Sequence, residues 1–294
     1  MRISISVTSY SWPAKAIAGE LDRIVRTADD AGADTVWVAD HLLQADPTAT
    51  PEEPMLEAYT TLGYLAARTE RVRLGTMVSA VTYRPAALLI KAVTSLDVLS
   101  GGRAWLGVGA GYQEVEAAAM GLELPPNAER FERLEETLRL AEHMWAGGDG
   151  PFHGRRLRLD RPLGSPLPLH RPPVLIGGAG ERKTLPLVAR YADACNLFDV
   201  PDGGATIRRK LAVLARHCEA AGRPYEEIAK TASTRLEPGA DGEELAERCE
   251  GLAELGIEHA VLIHAGPWTD ESLAAVAEAV PVVERIKPNH DAAQ

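Results

Sequence analysis

The sequence predicts an α/β protein, a single (β/α)8 TIM barrel with an insertion between the fourth and fifth strands. Three observations predict it. Short β-branched runs recur eight times along the 294 residues. Each is followed by a longer stretch of helical period and strong helix formers. The runs start at 3, 35, 72, 104, 174, 194, 229 and 259, so every spacing lies between 20 and 37 residues except one of 70. Strand then helix, eight times, is the grammar of a closed parallel barrel, with an open doubly wound sheet as the alternative.

The strands are read as Ile3 to Val7, Thr35 to Ala39, Val72 to Val78, Ala104 to Val108, Val174 to Ile176, Ala194 to Phe198, Ala229 to Thr234 and His259 to Ile263. After the first comes Ile17, Leu21, Ile24, Val25 and Ala28, a core-facing helical stripe closed by Gly32. The same pattern returns at Met55 to Arg68, Ala86 to Leu99, Glu129 to Trp145, Arg182 to Tyr191, Thr206 to Ala221, Glu243 to Leu255 and Glu271 to Ile286. The long spacing holds one of these helices plus the Gly-, Arg- and Pro-rich segment from about 147 to 173, in which Phe152 to Leu159 suggests a small hairpin. This segment is expected to form a lid over the barrel mouth, within one domain spanning 1–286. The tail from Lys287 to Gln294 is expected to be disordered.

Composition narrows the function. With 31 Lys+Arg against 42 Asp+Glu the formal charge is −11, which argues against a nucleic-acid partner. Charges or Pro/Gly break every hydrophobic run, so no membrane span is expected. Cys195, Cys218 and Cys249 are odd in number and widely spaced, which gives no disulfide framework and makes a reducing cytoplasm the default. No metal site is expected, because no Cys-x-x-Cys, His-x-His or His-x-x-x-His occurs. His143, His217 and His259 read as packing or surface residues, and Glu129 to Glu136 as a solvated helix face.

In such a barrel the chemistry sits at the C-terminal ends of the strands. Four ends stand out. Val36 to His41 stops at Asp40 and His41, a pair that can transfer a proton, with Asp40 setting the tautomer of His41 or contacting a cofactor. The bland alternative is a loop-starting Asp and a solvated His. Leu74 to Ser79, with Tyr83-Arg84-Pro85 opening a helix, places a glycine and small hydroxyls where a flat ligand can approach, or is a simple strand exit. Leu106 to Tyr112 carries Gly107, Gly109 and Gly111 at alternate positions, not the dinucleotide spacing. Val174 to Thr184 runs from strand through Gly177, Gly178, Ala179 and Gly180 into a helix, with Arg182 and Lys183 alongside. Exposed N–H groups at such a helix start suit a phosphate, although the same glycines also permit tight helix–sheet packing. Arg84, Arg155, Arg156, Arg158, Arg182 and Lys183 together predict a locally basic entrance.

In this order, the strand ends resemble the luciferase-like monooxygenase superfamily, and within it the oxidoreductases that use the deazaflavin coenzyme F420. The resemblance runs from Ile3 to Ile286 and is carried by W-V-A-D-H-L (37–42 with Val36), R-L-G-T-M-V (73–78), the stretch Thr94 to Gly111, E-R-F-E-R-L (129–134) and I-G-G-A-G-E-R-K-T (176–184). It implies a flavin or deazaflavin ring lying across the strand ends, and a homodimer. By the same resemblance Asp40 contacts the ring system and His41 is the proton-transfer residue. Met77 and Val78 match a bulge, often with a cis peptide, that backs the ring. Gly109, Ala110 and Gly111 pass the cofactor tail, and Gly177, Gly178, Ala179, Gly180, Glu181 and Arg182 hold its phosphate. Where many relatives have Trp this chain has Tyr112, and the carboxylate base of the sugar-phosphate dehydrogenase branch has no acidic match there.

The expected activity is hydride transfer between coenzyme F420 and a small organic substrate, with His41 moving the accompanying proton. Three alternatives remain at this level. The same fold could take FMN and use oxygen. Gly178-x-Gly180 followed by Asp199 is a near match to a nicotinamide-binding Rossmann dehydrogenase, with Lys183 where its third glycine should be. A non-catalytic flavin or deazaflavin carrier is the fourth reading.

Overall fold

The computed structural model describes residues 1–46 and 49–289. In chain order its elements are β1 (Arg2–Val7), α1 (Ala14–Ala31), β2 (Thr35–Val38), α2 (Ala58–Ala66), β3 (Arg73–Thr76), β4 (Ser79–Ala80), α3 (Ala86–Ser100), β5 (Leu106–Gly109), α4 (Glu114–Ala119), α5 (Asn127–Trp145), β6 (Phe152–His153) and β7 (Arg158–Leu159). There follow β8 (Val174–Gly177), α6 (Thr184–Tyr191), β9 (Ala194–Phe198), α7 (Ala205–Ala221), β10 (Ala229–Leu236), α8 (Gly242–Glu254), β11 (His259–His264) and α9 (Asp270–Val283).

The main sheet is parallel throughout and runs β3-β2-β1-β11-β10-β9-β8-β5-β4. Its two ends meet. Leu74 of β3 bridges Ala104 just before β5, with Leu74 N–H donating to Arg103 O at 2.9 Å and Trp105 N–H donating to Leu74 O at 2.8 Å. The predicted barrel is therefore closed, and closure removes the open doubly wound sheet that a Rossmann dehydrogenase requires.

Period-two alternation sorts the side chains into two cores. On one face Ile3, Ile5, Val36, Val38, Leu106, Val108, Val174 and Ile176 pack against the helices, α1 among them through Leu21, Ile24 and Val25. On the other, Trp37, Trp105, Leu175, Ala194 and Val261 fill the lumen. The two indoles lie 5.5 Å apart and leave no room beside them: a Cβ on Gly75 would sit 2.7 Å from Trp105 Cβ. At the opposite end from the mouth, His259 is buried against Ser4 and Asp34.

Three expectations need correction. The strand read as Val72 to Val78 is broken: β3 ends at Thr76, the Met77–Val78 peptide is cis, and β4 resumes at Ser79. The six-residue α4 was not anticipated. The insertion from 147 to 173 does not cover the mouth. Buried Glu136 on α5 accepts the N–H groups of Arg155, Arg156 and Leu157 at 2.6, 3.0 and 2.7 Å, and Asp97 on α3 accepts that of Leu169 at 2.8 Å. Two helix carboxylates thus strap the segment along the outside of α3 and α5, because its backbone donors would otherwise lack partners. Of the tail, Asn289 N–H donates to Ala253 O at 2.9 Å, whereas 290–294 lie outside the described residues.

Candidate active site

A cavity of about 530 Å³ opens at the C-terminal ends of the strands. Its walls are of two kinds. Along β4, β5 and β8 they are mostly backbone and small groups: Met77, Val78, Gly109, Ala110, Gly111, Gly177 and Gly178. Along β9, β10, β11 and β1 they are side chains, namely Asn196, Phe198, Ser233, Ile263, Ser6 and Thr8. Asp40 and His41 at the end of β2 stand between, with Tyr83 and Tyr112 nearby.

The glycines have a local cause. The break at Met77–Val78 pushes Val78 toward β5 and β8, so a Cβ on Gly177 would lie 2.6 Å from Val78 Cγ2 and one on Gly109 3.0 Å away. At Gly107 a Cβ would lie 1.8 Å from Thr76 O. The alternating glycines of β5 are thus required by close approach of the neighbouring strand.

His41 is held by a residue the sequence did not suggest. Its Nδ1 lies 2.8 Å from Glu116 Oε2, and the same carboxylate accepts from the Tyr83 hydroxyl and from the N–H groups of Leu42 and Leu43. Burial works to raise the Glu116 carboxyl, but the hydrogen bonds from His41, Tyr83, Leu43 and Leu42 outweigh it and hold it down to about 2. An ionised Glu116 only accepts, so Nδ1 of His41 carries the proton and Nε2 is left for the cleft. Burial, with the Glu116 bond and charge behind it, pushes the Tyr83 phenol well up, so Tyr83 stays a donor. The sequence signal for Glu116 was a carboxylate at the start of a short helix after the glycine run, placed where helix α4 buries it.

Asp40 has different partners from those expected. Arg84 NH1 and NH2 donate to its two oxygens at 2.6 and 2.9 Å, and Ser79 Oγ donates at 2.5 Å. Arg84 also binds Glu57 and lies 5.0 Å from the centre of the Tyr59 ring. Burial pushes the Tyr59 phenol up to about 12, with the Asp40 charge adding to it. A bidentate guanidinium satisfies Asp40, so its expected role of setting the His41 tautomer passes to Glu116.

Beyond Gly178 (φ +96°) the chain turns into α6. Among the described residues no acceptor takes the N–H groups of Ala179, Gly180, Glu181 or Arg182. Thr184 N–H donates back to Gly180 O at 2.9 Å, so these four donors belong to the turn that leads into α6 and are left without partners there. Lys183 Nζ donates to Asn127 Oδ1 at 2.6 Å and lies over Phe131, and both of those residues line the cavity. Ala179, Gly180, Glu181 and Arg182 are not themselves part of the lining, and the Glu181 carboxylate is turned away to Lys210 at 2.8 Å.

The locally basic entrance is also corrected. Arg84 is neutralised by Asp40 and Glu57, and Arg155 and Arg156 pair with Glu132 at 2.8 and 2.6 Å on the outer face of α5. The cysteines take no part. All three are free and buried, and burial raises the Cys195 and Cys249 thiols to about 12. No helix of the described chain is long and apolar enough to cross a membrane.

A closed (β/α)8 barrel with a paired imidazole and carboxylate beside a glycine-walled cleft defines a barrel enzyme whose site lies at the strand ends. Residues 1–287 match the luciferase-like monooxygenase family, and the chain belongs to that family. Among relatives, it is 30% identical over 241 residues to an F420-dependent glucose-6-phosphate dehydrogenase of Amycolatopsis mediterranei, covering 78% of this chain and 68% of that protein. It is 30% identical over 217 residues to an F420-dependent hydroxymycolic acid dehydrogenase of Mycobacterium tuberculosis, covering 72% of this chain and 58% of that one. Among solved structures, an F420-dependent secondary alcohol dehydrogenase in complex with an F420-acetone adduct superimposes with a TM-score of 0.81 at 18% identity, over 96% of this chain and 98% of that one. At that identity the superposition shows the fold alone.

Proposed function

We propose that the protein is an oxidoreductase that binds coenzyme F420 and transfers a hydride between it and a small organic substrate. One observation carries the reading: among the described residues His41 Nε2 has no partner, and His41 lines a glycine-walled cleft whose wall at Gly178 leads into a turn of orphaned backbone donors. The relatives named F420-dependent support the choice of coenzyme.

The residues present suit the group. Gly109, Ala110, Gly111, Gly177 and Gly178 leave the wall flat, with Met77 and Val78 as its floor. The N–H groups of Ala179, Gly180, Glu181 and Arg182 supply unpaired donors for a phosphate, with Arg182 and Lys183 alongside. When bound, the deazaflavin supplies the hydride chemistry at its ring carbon. The chain does the rest. His41 Nε2 takes a substrate hydroxyl proton in oxidation and returns one in reduction, while Glu116 keeps Nδ1 protonated and stabilises the imidazolium that forms. Asp40, fixed by Arg84 and Ser79, serves as a rigid acceptor at the edge of the cofactor slot. Phe198, Ile263 and Tyr112 supply the apolar surface of the substrate side.

The test is parallel titration of the purified protein with coenzyme F420, FMN, NAD and NADP. Binding of F420 with FMN and the nicotinamides at least tenfold weaker is expected, and a preference for FMN would replace this reading with a flavin-dependent one. We further propose a cytoplasmic homodimer. The exposed Leu88 and Leu99 on α3 support the dimer and the three free cysteines support a reducing compartment; sedimentation at the monomer mass in analytical ultracentrifugation would remove the dimer.

A further inference from the structure

The mouth divides into a glycine-walled half, β4-β5-β8, and a side-chain half, β9-β10-β11-β1, and the second half has one charged group at its rim that nothing else uses. In β10, Thr231 and Ser233 face the lumen. Thr231 Oγ1 donates to Asn196 Oδ1 at 2.8 Å, and Ser233 lines the cavity. Alternation places Arg235 on the same face one step nearer the opening. Its cross-strand partner is Ile263, which lines the cavity, and Ser233 is paired with Phe198, which also lines it. Register and alternation therefore place Arg235 at the rim, next to Ile263 and near Phe198, which is 57% exposed, just outside the lining of the cavity itself.

Arg235 is exposed, and among the described residues it makes no hydrogen bond or ion pair. The neighbouring carboxylate at the end of β9, Asp199, is already engaged by Thr234 Oγ1 at 2.8 Å and Arg248 NH2 at 2.5 Å. Among the described residues, none that lines the cavity is Lys or Arg. Arg84 is locked to Asp40 and Glu57, Arg130 to Gly111 O, and Lys183 to Asn127. Arg182, whose side chain has no partner among the described residues, lies on the other half, in the turn that the coenzyme reading uses.

We propose that Arg235 is a substrate-binding residue, and that the substrate is a small monocarboxylate whose apolar body lies against Phe198 and Ile263. The inference rests on the oxidoreductase reading for the placement of the coenzyme in the opposite half. A guanidinium presents a planar fork that matches a carboxylate, and a single one suits a monoanion. With only Ser6, Thr8, Asn196 and Ser233 as other polar groups on that half, a phosphate dianion lacks the second cation it needs. Despite the likeness to glucose-6-phosphate dehydrogenases, the site thus selects against a phosphorylated substrate.

The experiment titrates the full chain, alone and saturated with F420, with benzoate, its neutral isostere benzamide, and inorganic phosphate, by calorimetry. Benzoate is expected to bind about tenfold more tightly than benzamide, with phosphate weaker than benzoate, as one charge-assisted bidentate pair allows. Arg235→Gln should remove the preference and Arg235→Lys should keep only part of it, with F420 affinity unchanged in both. Equal binding of benzoate and benzamide, a preference that survives in Arg235→Gln, phosphate bound more tightly than benzoate, or a loss of F420 affinity in Arg235→Gln each overturns the proposal. If F420 does not bind, the oxidoreductase reading falls, and the titration of the chain alone still decides the role of Arg235.

Discussion

Glu116, carried on the six-residue helix α4, lies 2.8 Å from Nδ1 of His41, and this contact assigns the imidazole its orientation. The two residues are 75 positions apart in the chain, and the carboxylate also collects the Tyr83 hydroxyl and two backbone donors. In the proposed reading His41 is the acid–base group and Glu116 the residue that positions it.

Replacing His41 by Ala should lower turnover about 10²–10⁴-fold while leaving F420 affinity unchanged. Glu116→Gln should lower it about 10–100-fold, as the loss of an orienting partner does elsewhere, and should change the pH profile of kcat/KM. Steady-state kinetics across pH, beside a coenzyme titration, distinguish the two; an unaltered profile in Glu116→Gln would remove its positioning role.

Arg84→Leu leaves Asp40 buried without its counter-charge, since the Asp40 side chain is 0% and the Arg84 side chain 14% exposed. A stability loss of about 3–5 kcal/mol is expected. Urea unfolding measures it, and Arg84→Lys should recover only part, because an ammonium cannot reproduce the two-pronged bond.

At Gly178 the backbone has φ +96°, a region that a β-branched residue avoids. Gly178→Val should therefore move the turn that precedes α6 and raise the dissociation constant for F420 by at least about tenfold. Fluorescence titration is the readout; unchanged affinity would mean that this turn does not hold the coenzyme.

Gly177→Ala should cost about 1–3 kcal/mol, since its new methyl would lie 2.6 Å from Val78 Cγ2. Val78→Ala in the same chain should return most of that loss. A double-mutant cycle in chemical denaturation tests the coupling, and strictly additive effects would show that the two sites do not touch.

Acid should weaken the fold at the end of the barrel opposite the mouth. Burial lowers His259 from 6.5 to about 4, with Asp34 opposing, so between those values the unfolded chain binds a proton that the folded chain does not. Stability contributed by the neutral imidazole is present above pH 6.5 and declines as pH falls toward 4. Thermal midpoints measured across that interval should fall with acidity, and the slope should flatten in His259→Gln.

The eight βα units and the extra length before β8 were legible from the residues themselves, and so were Asp40, His41, Met77, Val78, Gly109, Gly111, Gly177 and Gly178 as strand-end residues, all of which line the cavity. Periodicity and turn chemistry are local properties, and the strand ends of a barrel are where its loops gather. What was misread depended on contacts between distant segments. The insertion looked like a lid because its arginines and prolines say nothing about Glu136 and Asp97, the helix carboxylates that strap it to the outside.

The same reason divides the site. Sequence alone determined the eight βα units, their order and the side chains at their strand ends, but neither the short helix α4 nor the break between β3 and β4. Tertiary structure decided which of those side chains meet: Asp40 with Arg84 and Ser79, His41 with Glu116, Val78 against Gly177, and Arg235 at the rim with no partner among the described residues. Hydrogen bonds and close packing act over a few ångströms in space whatever the separation along the chain, so only closure of the barrel chooses the pairs.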